Sequence, residues 1–129
     1  MAFVNPFRNE LLDELNSWTI HLALYTTAPD ANGAGGVEVG AGLGYARLAL
    51  TSGFTVAAAG SISNTALLTF GPATGDWGTV EGIALIDVAG AVVPAGDILV
   101  RWLPAPRTVT EGGTYQIAIG DLIIAMEDA

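Results

Sequence analysis

Apolar positions along the chain change their period once, near residue 19, and that change divides the expected structure. Before it, Phe7, Leu11, Leu15 and Trp18 recur at the spacing of one helical face, with Arg8, Glu10, Asp13 and Glu14 on the other side. Asn5 is a suitable N-cap and Pro6 suits the first helical position, so the pattern predicts a short amphipathic helix. Phe3 and Val4 lie outside the stripe. The helix reads either as a cover for one end of the domain or as an arm, about residues 1–18, that docks on a neighbouring subunit.

From Thr19 the period is two. Ile20, Leu22 and Leu24 alternate with His21, Ala23 and Tyr25, the mark of a half-buried strand. A glycine-rich stretch from Ala28 to Gly44 follows, with too little apolar bulk to pack, and reads as a long loop of the functional or mobile kind. Short strands are then predicted over 45–51, 54–58, 65–70, 79–87, 97–103, 114–119 and 121–126. Turn signals separate them: Ala59-Gly60-Ser61, Gly71-Pro72, Gly75-Asp76, Ala89-Gly90, Pro94-Ala-Gly-Asp97, Glu111-Gly-Gly113 and Gly120-Asp121. Many short strands with 17 glycines predict a mainly β fold. The expected architecture is one antiparallel β-sandwich domain, jelly-roll-like, over residues 1–129, with the N-terminal helix as its only substantial helix.

Composition changes this picture in one respect. The chain is 51% hydrophobic with a mean hydropathy of +0.51 and only 13% charged, against about 25% in ordinary globular domains. So few charges leave part of the exterior to be covered by a partner, and a homotrimer is the preferred assembly. Thirteen acidic residues face four arginines and no lysine, for a net charge of −9. Nucleic acid and anionic membrane, both polyanions, are therefore excluded as partners. No apolar run reaches the roughly 18 residues of a membrane span, and no signal peptide is apparent, so synthesis is expected in the cytoplasm.

Catalytic chemistry finds little footing. Cysteine and lysine are absent and His21 is the single histidine, so activated nucleophiles and zinc sites lack their components. Asp76 and Glu81 bracket Trp77, which suggests paired glycosidase carboxylates. A tight turn at Gly75-Asp-Trp-Gly78, with Asp76 capping it and Trp77 plugging the sandwich end, explains the same residues. The loop from Asp30 to Glu38 faintly imitates a calcium loop, but Ala34 and Ala41 stand where ligands are required. Gly40-Ala-Gly-Leu-Gly44 lacks the lysine and helix of a phosphate loop. Trp77 and Trp102 could serve a carbohydrate platform, yet Trp102 is in phase with Ile98 and Val100, which favours core packing. No catalytic residue, cofactor or metal is expected.

The order of segments carries more. His21-Leu-Ala-Leu-Tyr-Thr-Thr-Ala-Pro29, Glu38-Val39 in a glycine-rich loop, and Gly44-Tyr-Ala-Arg47 come first. Ser63-Asn64, Phe70-Gly-Pro-Ala-Thr-Gly-Asp-Trp-Gly-Thr-Val80, Ala84-Leu-Ile-Asp87, Pro106-Arg-Thr-Val109 and Gly120-Asp-Leu-Ile-Ile124 follow. In this order they resemble small bacteriophage virion proteins often labelled tail fibre proteins. The resemblance implies a non-enzymatic virion structural protein, with no catalytic residues to carry over.

No heptad stalk or fibrous repeat is present, and a small acidic β-domain with a helical arm is similar to capsid decoration (cement) proteins. The main expectation is accordingly a cement protein on the outer surface of the head, since DNA inside a capsid would repel a chain of −9. The alternative is a tail fibre or tail-tip subunit in contact with the host, and a sugar-binding module is a third reading. Expected partners are copies of the chain and the major capsid protein or tail proteins. Contact is assigned to the arm at Phe3, Val4 and Phe7 and to the loop at Asn32, Gly35, Gly36 and Gly44.

Overall fold

The computed structural model describes residues 3–40, 42–87 and 96–125. The fold is mainly antiparallel β with one N-terminal helix, as the alternating patterns predict. Helix α1 (Asn5–Ser17) starts at the expected cap residue, one position before the expected first helical residue Pro6. Val4 is the N-cap and has no side-chain cap bond, although its carbonyl accepts from the Phe7 and Arg8 amides. The Asn5 side chain accepts from Arg8 Nη1 instead of capping the backbone.

Strand β1 (Thr19–Thr27) is the hub of a five-stranded sheet. One edge pairs along Ile20–Tyr25 with β7 (Gly82–Asp87), which in turn pairs with β8 (Asp97–Trp102). The other edge is shared. β3 (Leu48–Thr51) takes Thr19–Leu22 and the two-residue β2 (Val37–Glu38) takes Tyr25 and Thr27. Three two-stranded ladders complete the fold. β4 (Ser61–Ser63) pairs with β11 (Ile123–Ala125), β5 (Leu68–Phe70) with β10 (Tyr115–Ile117), and β6 (Gly78–Val80) with β9 (Arg107–Val109).

The sheet's inner face presents Ile20, Leu22, Leu24, Ile83 and Leu85 to Ile62, Leu68, Phe70, Val109, Ile117 and Ile124 of the ladders. Leu12 and Leu15 of α1 join the same cluster. The first strand is buried more deeply than its alternation predicts. Ala23, Tyr25, Ala84, Ile86 and Ile98 form a second, smaller cluster on the opposite face. His21 lies on that face, and its Nδ1 is buried without a hydrogen-bond partner among the described residues.

Three boundaries differ from expectation for identifiable reasons. The segment 54–58 makes only isolated bridges, Phe54–Asn64 and Ala58–Ser61, because side chains of α1 occupy its backbone groups. Ala59 (φ 52°) and Gly60 (φ 78°) form a two-residue turn between Ala58 and Ser61, whose amides and carbonyls pair reciprocally, so β4 begins where a turn was expected. The run 79–87 divides at Glu81 into β6 and β7. The turns at Ala89-Gly90 and Pro94, and the end of the last strand at Met126, lie outside the described residues.

Candidate functional site

α1 has two faces with different chemistry. Asn9, Asp13 and Asn16 follow one another at helical spacing, and their carbonyl or carboxylate oxygens accept from backbone amides of the segment 54–60. Gly60 donates to Asn9 at 2.9 Å, Ala57 to Asp13 at 2.8 Å and Phe54 to Asn16 at 3.1 Å. Asn16 Nδ2 also donates back to the Phe54 carbonyl at 3.0 Å. Arg8, Leu12 and Leu15 are the buried residues of the helix.

Of the predicted stripe Phe7, Leu11, Leu15 and Trp18, the last two pack on the core, while Arg8 and Leu12 are buried in place of Phe7 and Leu11. The amide row of 54–60 and the burial of Leu12 and Leu15 together fix the roll of the helix. Phe7 (47% exposed) and Leu11 (39%) face outward with Phe3 (50%) and Val4 (68%). The Phe3 and Phe7 rings meet edge to face, with centroids 5.1 Å apart. Arg8 Nε donates to the Phe3 carbonyl, which ties the arm back onto its own helix. Trp18 is the C-cap residue and packs partly buried against the core.

The glycine-rich loop is tightly organised. Asp30 Oδ1 accepts from the Asn32 and Ala34 amides at 2.8 and 3.0 Å, and these hold its carboxyl below the usual range. Glu38 receives both Nε and Nη2 of Arg47, at 2.9 and 2.8 Å, and the Tyr45 hydroxyl at 2.5 Å. The Arg47 contact pulls the Glu38 carboxyl down, and burial pushes the Tyr45 phenol far up. Tyr45 also accepts from the Leu24 amide and packs on Phe70 and Trp77. Two of the three carboxylate or amide groups that imitated a calcium loop, Asp30 and Glu38, thus hold groups of the protein itself. Among the described residues no group of three or more His, Cys, Asp and Glu could hold a metal ion.

The loop candidates divide. A Cβ on Gly36 would lie 3.0 Å from the Tyr25 ring, and one on Gly44 (φ +76°) 2.6 Å from the Pro72 carbonyl, so both glycines serve close packing. All four candidates are exposed, and a Cβ on Gly35 would meet nothing within 4 Å. The structure does not merge arm and loop into one site, since α1 meets the segment 54–60 while the loop meets Tyr25, Ile98 and Thr74.

Two aromatic assignments resolve differently. Trp77 is buried, its indole donating to the Leu43 carbonyl at 2.7 Å, as a plug should. Asp76 caps a different turn from the expected one, accepting from the Glu111 amide at 2.9 Å. The phase of β8 shifts, because a bulge separates Val100, opposite Leu85, from Ile98, opposite Ile86. Ile98 accordingly packs on the outer cluster, while Val100 and Trp102 turn to the inner one.

Trp102 is only partly buried. With Ile83, Tyr115, Gln116, Ile117 and Asp121 it lines an open cleft of about 350 Å³ between β7–β8 and β10. The sequence placed none of these residues together. The in-phase tryptophan was the one available signal.

Residues 8–125 match the model of a family of phage fibre proteins, which makes the chain a phage virion structural protein of the fibre type. The family is that of podophage GP4 fiber I protein gp80, and the chain belongs to it. No curated protein matches the chain.

Proposed function

We propose that the chain is a tail-fibre subunit at the outer surface of the virion, attached through the outward face of α1 and acting without catalytic turnover. Membership of the fibre family sets the class, and the observation that carries the mode of attachment is the exposed Phe3–Phe7 pair on a helix whose other face is pinned. Burying each such side chain contributes about 1.5–3 kcal/mol, enough for a few residues to anchor a subunit. Self-association into a homotrimer would cover further apolar side chains, among them Leu67, Ile119 and Ile123. Partners of the arm are copies of the chain or a neighbouring tail protein.

Decoration of the head is the second reading. The net charge of −9 supports either outer location over a DNA-filled lumen. Immunogold labelling of virions is the test. Labelled tails are expected, and labelled heads would overturn the fibre reading in favour of decoration. The double variant Phe3→Ser, Phe7→Ser should fold normally and lose attachment to particles. Light scattering should show a trimer, and a stable monomer at micromolar concentration would refute self-association. Polysaccharide cleavage by the purified chain, abolished in Glu81→Gln, would refute the absence of turnover.

A further inference from the structure

The four arginines of this lysine-free chain are all engaged away from Asp121. Arg8 donates to the Phe3 carbonyl, Arg47 to Glu38 and Arg101 to the Pro29 carbonyl, while Arg107 lies 5.6 Å from the centroid of the Tyr115 ring. Asp121 has no ion-pair partner among the described residues. Other exposed carboxylates share that lack, but Asp121 is the one charged side chain lining the open cleft between β8 and β10. The floor of the cleft is apolar, since Ile83, Tyr115 and Ile117 are buried. Trp102 lies partly open on one side and packs against the core on the other, which holds its indole in place. At about 350 Å³ the space falls within the range of small-ligand sites, roughly 300–1,000 Å³.

The lining restricts what can bind. An anion would meet the Asp121 carboxylate. A neutral apolar ligand would strip water from that carboxylate and return no hydrogen bond, which is costly. A cation gains twice, from the carboxylate and from the negative face of the indole. The isoleucines of the floor offer no hydrogen bond, so a strongly hydrated ammonium would lose its water there without replacement. A methylated ammonium carries its charge inside an apolar shell and meets the same floor at little cost. The net charge of −9 draws cations toward the surface as a whole. Arg107 opposes them, but it is exposed and outside the lining, and salt screens such a charge within about 8–10 Å.

We propose that this cleft binds a weakly hydrated organic cation of the trimethylammonium type, its methyl groups on Ile83 and Ile117 and its charge between the Trp102 indole and the Asp121 carboxylate. This goes beyond the fibre reading and does not depend on how the subunit is attached.

The test uses the full chain with tetramethylammonium and choline, read by saturation-transfer NMR and tryptophan fluorescence. Dimethylbutanol, in which carbon replaces the nitrogen of choline, is the uncharged control. Saturable choline binding is expected, weakening as salt is raised. Asp121→Asn should weaken it about fivefold, the factor for one unit charge about 4 Å away in water. Asp121 is exposed, so this variant should keep the thermal midpoint of the parent. Trp102→Leu should abolish binding and Trp102→Phe restore part of it, with circular dichroism showing that both fold. Arg107→Gln should tighten it. Displacement of choline by phosphatidylcholine vesicles would make a lipid headgroup the source of the cation, and no displacement the free cation; either supports the cleft as the site. Three outcomes overturn the proposal: neither cation binds, dimethylbutanol binds as tightly as choline, or Asp121→Asn binds choline as tightly as the parent. A negative result leaves the virion-labelling experiment untouched, so the two readings fail separately.

Discussion

Replacing Asn64 with alanine removes a buried amide that satisfies three backbone groups at once. Its Nδ2 donates to the Ala66 carbonyl at 2.8 Å and the Ala118 carbonyl at 3.0 Å, and its Oδ1 accepts from the Leu122 amide at 3.0 Å. Its own backbone completes the joint, pairing with Leu122 and Gly120. The side chain therefore ties the end of β4 to the connection between β10 and β11. Alanine leaves the buried Leu122 amide unsatisfied, at a cost of about 1–3 kcal/mol. The two carbonyls are only partly buried and can recover water, so each adds roughly 0.5–1 kcal/mol. The expected loss is about 2–5 kcal/mol. For a chain of this size that lowers the thermal midpoint by roughly 10–20 °C. Asn64→Asp should be as harmful at neutral pH, because a carboxylate would face two carbonyls, and less harmful in acid, where the protonated group donates again. Thermal unfolding followed by circular dichroism at pH 7 and pH 4 measures both. A fall of less than about 3 °C in Asn64→Ala would refute the reasoning, since it would place the loss below the lower bound.

Tyr45→Phe leaves the Leu24 amide without its acceptor and removes one donor from Glu38, so urea denaturation should show a loss of about 1–3 kcal/mol. Glu38 has a folded pKa lowered first by Arg47, so its contribution is present above the ordinary glutamate range and disappears as pH falls through the depressed folded value. Stability measured from pH 6 downward should decline over that interval, and Arg47→Ala should flatten the decline. Gly44→Ala forces a Cβ to 2.6 Å from the Pro72 carbonyl at a positive φ, whereas Gly35→Ala carries only the conformational penalty of its φ of +75°. Calorimetry should rank Gly44→Ala as the more destabilising by well over 1 kcal/mol.

What the sequence made legible follows from how local each determinant is. Period-two alternation marked β1, a short apolar run between turn signals marked β7, and the two-residue turn at Ala59-Gly60 stood at a predicted turn, because these signals lie within a few residues. The roll of α1 was not legible. Asn9, Asp13 and Asn16 acquire meaning only opposite the amides of 54–60, some forty residues away, and a hydrophobic stripe cannot register them. β2 and β9 are too short to alternate. Ile98 was misphased relative to Val100 and Trp102 because a bulge in β8 reverses the faces on either side of it, and one sequence carries no mark of a bulge without a glycine. Of the candidate contact residues, the arm was visible through Phe3 and Val4 falling outside any stripe. Gly36 and Gly44 are exposed yet closely approached by other groups, which their composition-rich loop could not distinguish from the open surroundings of Gly35.

The edge of β1 that β2 and β3 divide has a consequence for the order of assembly. Those partners lie within about thirty residues of β1, so closing their loops is comparatively inexpensive. β7, which occupies the whole opposite edge, arrives roughly sixty residues later, at a larger entropic cost. On the ribosome α1, β1 and β3 emerge well before β7, at about 5–20 residues per second. For several seconds the nascent chain therefore carries an unpaired, strongly apolar strand edge at Ile20–Tyr25. β7 is both the strand that ends this interval and the one buried along its entire length, so translation through Gly82–Asp87 marks the point at which the growing chain passes from aggregation-prone to self-protected.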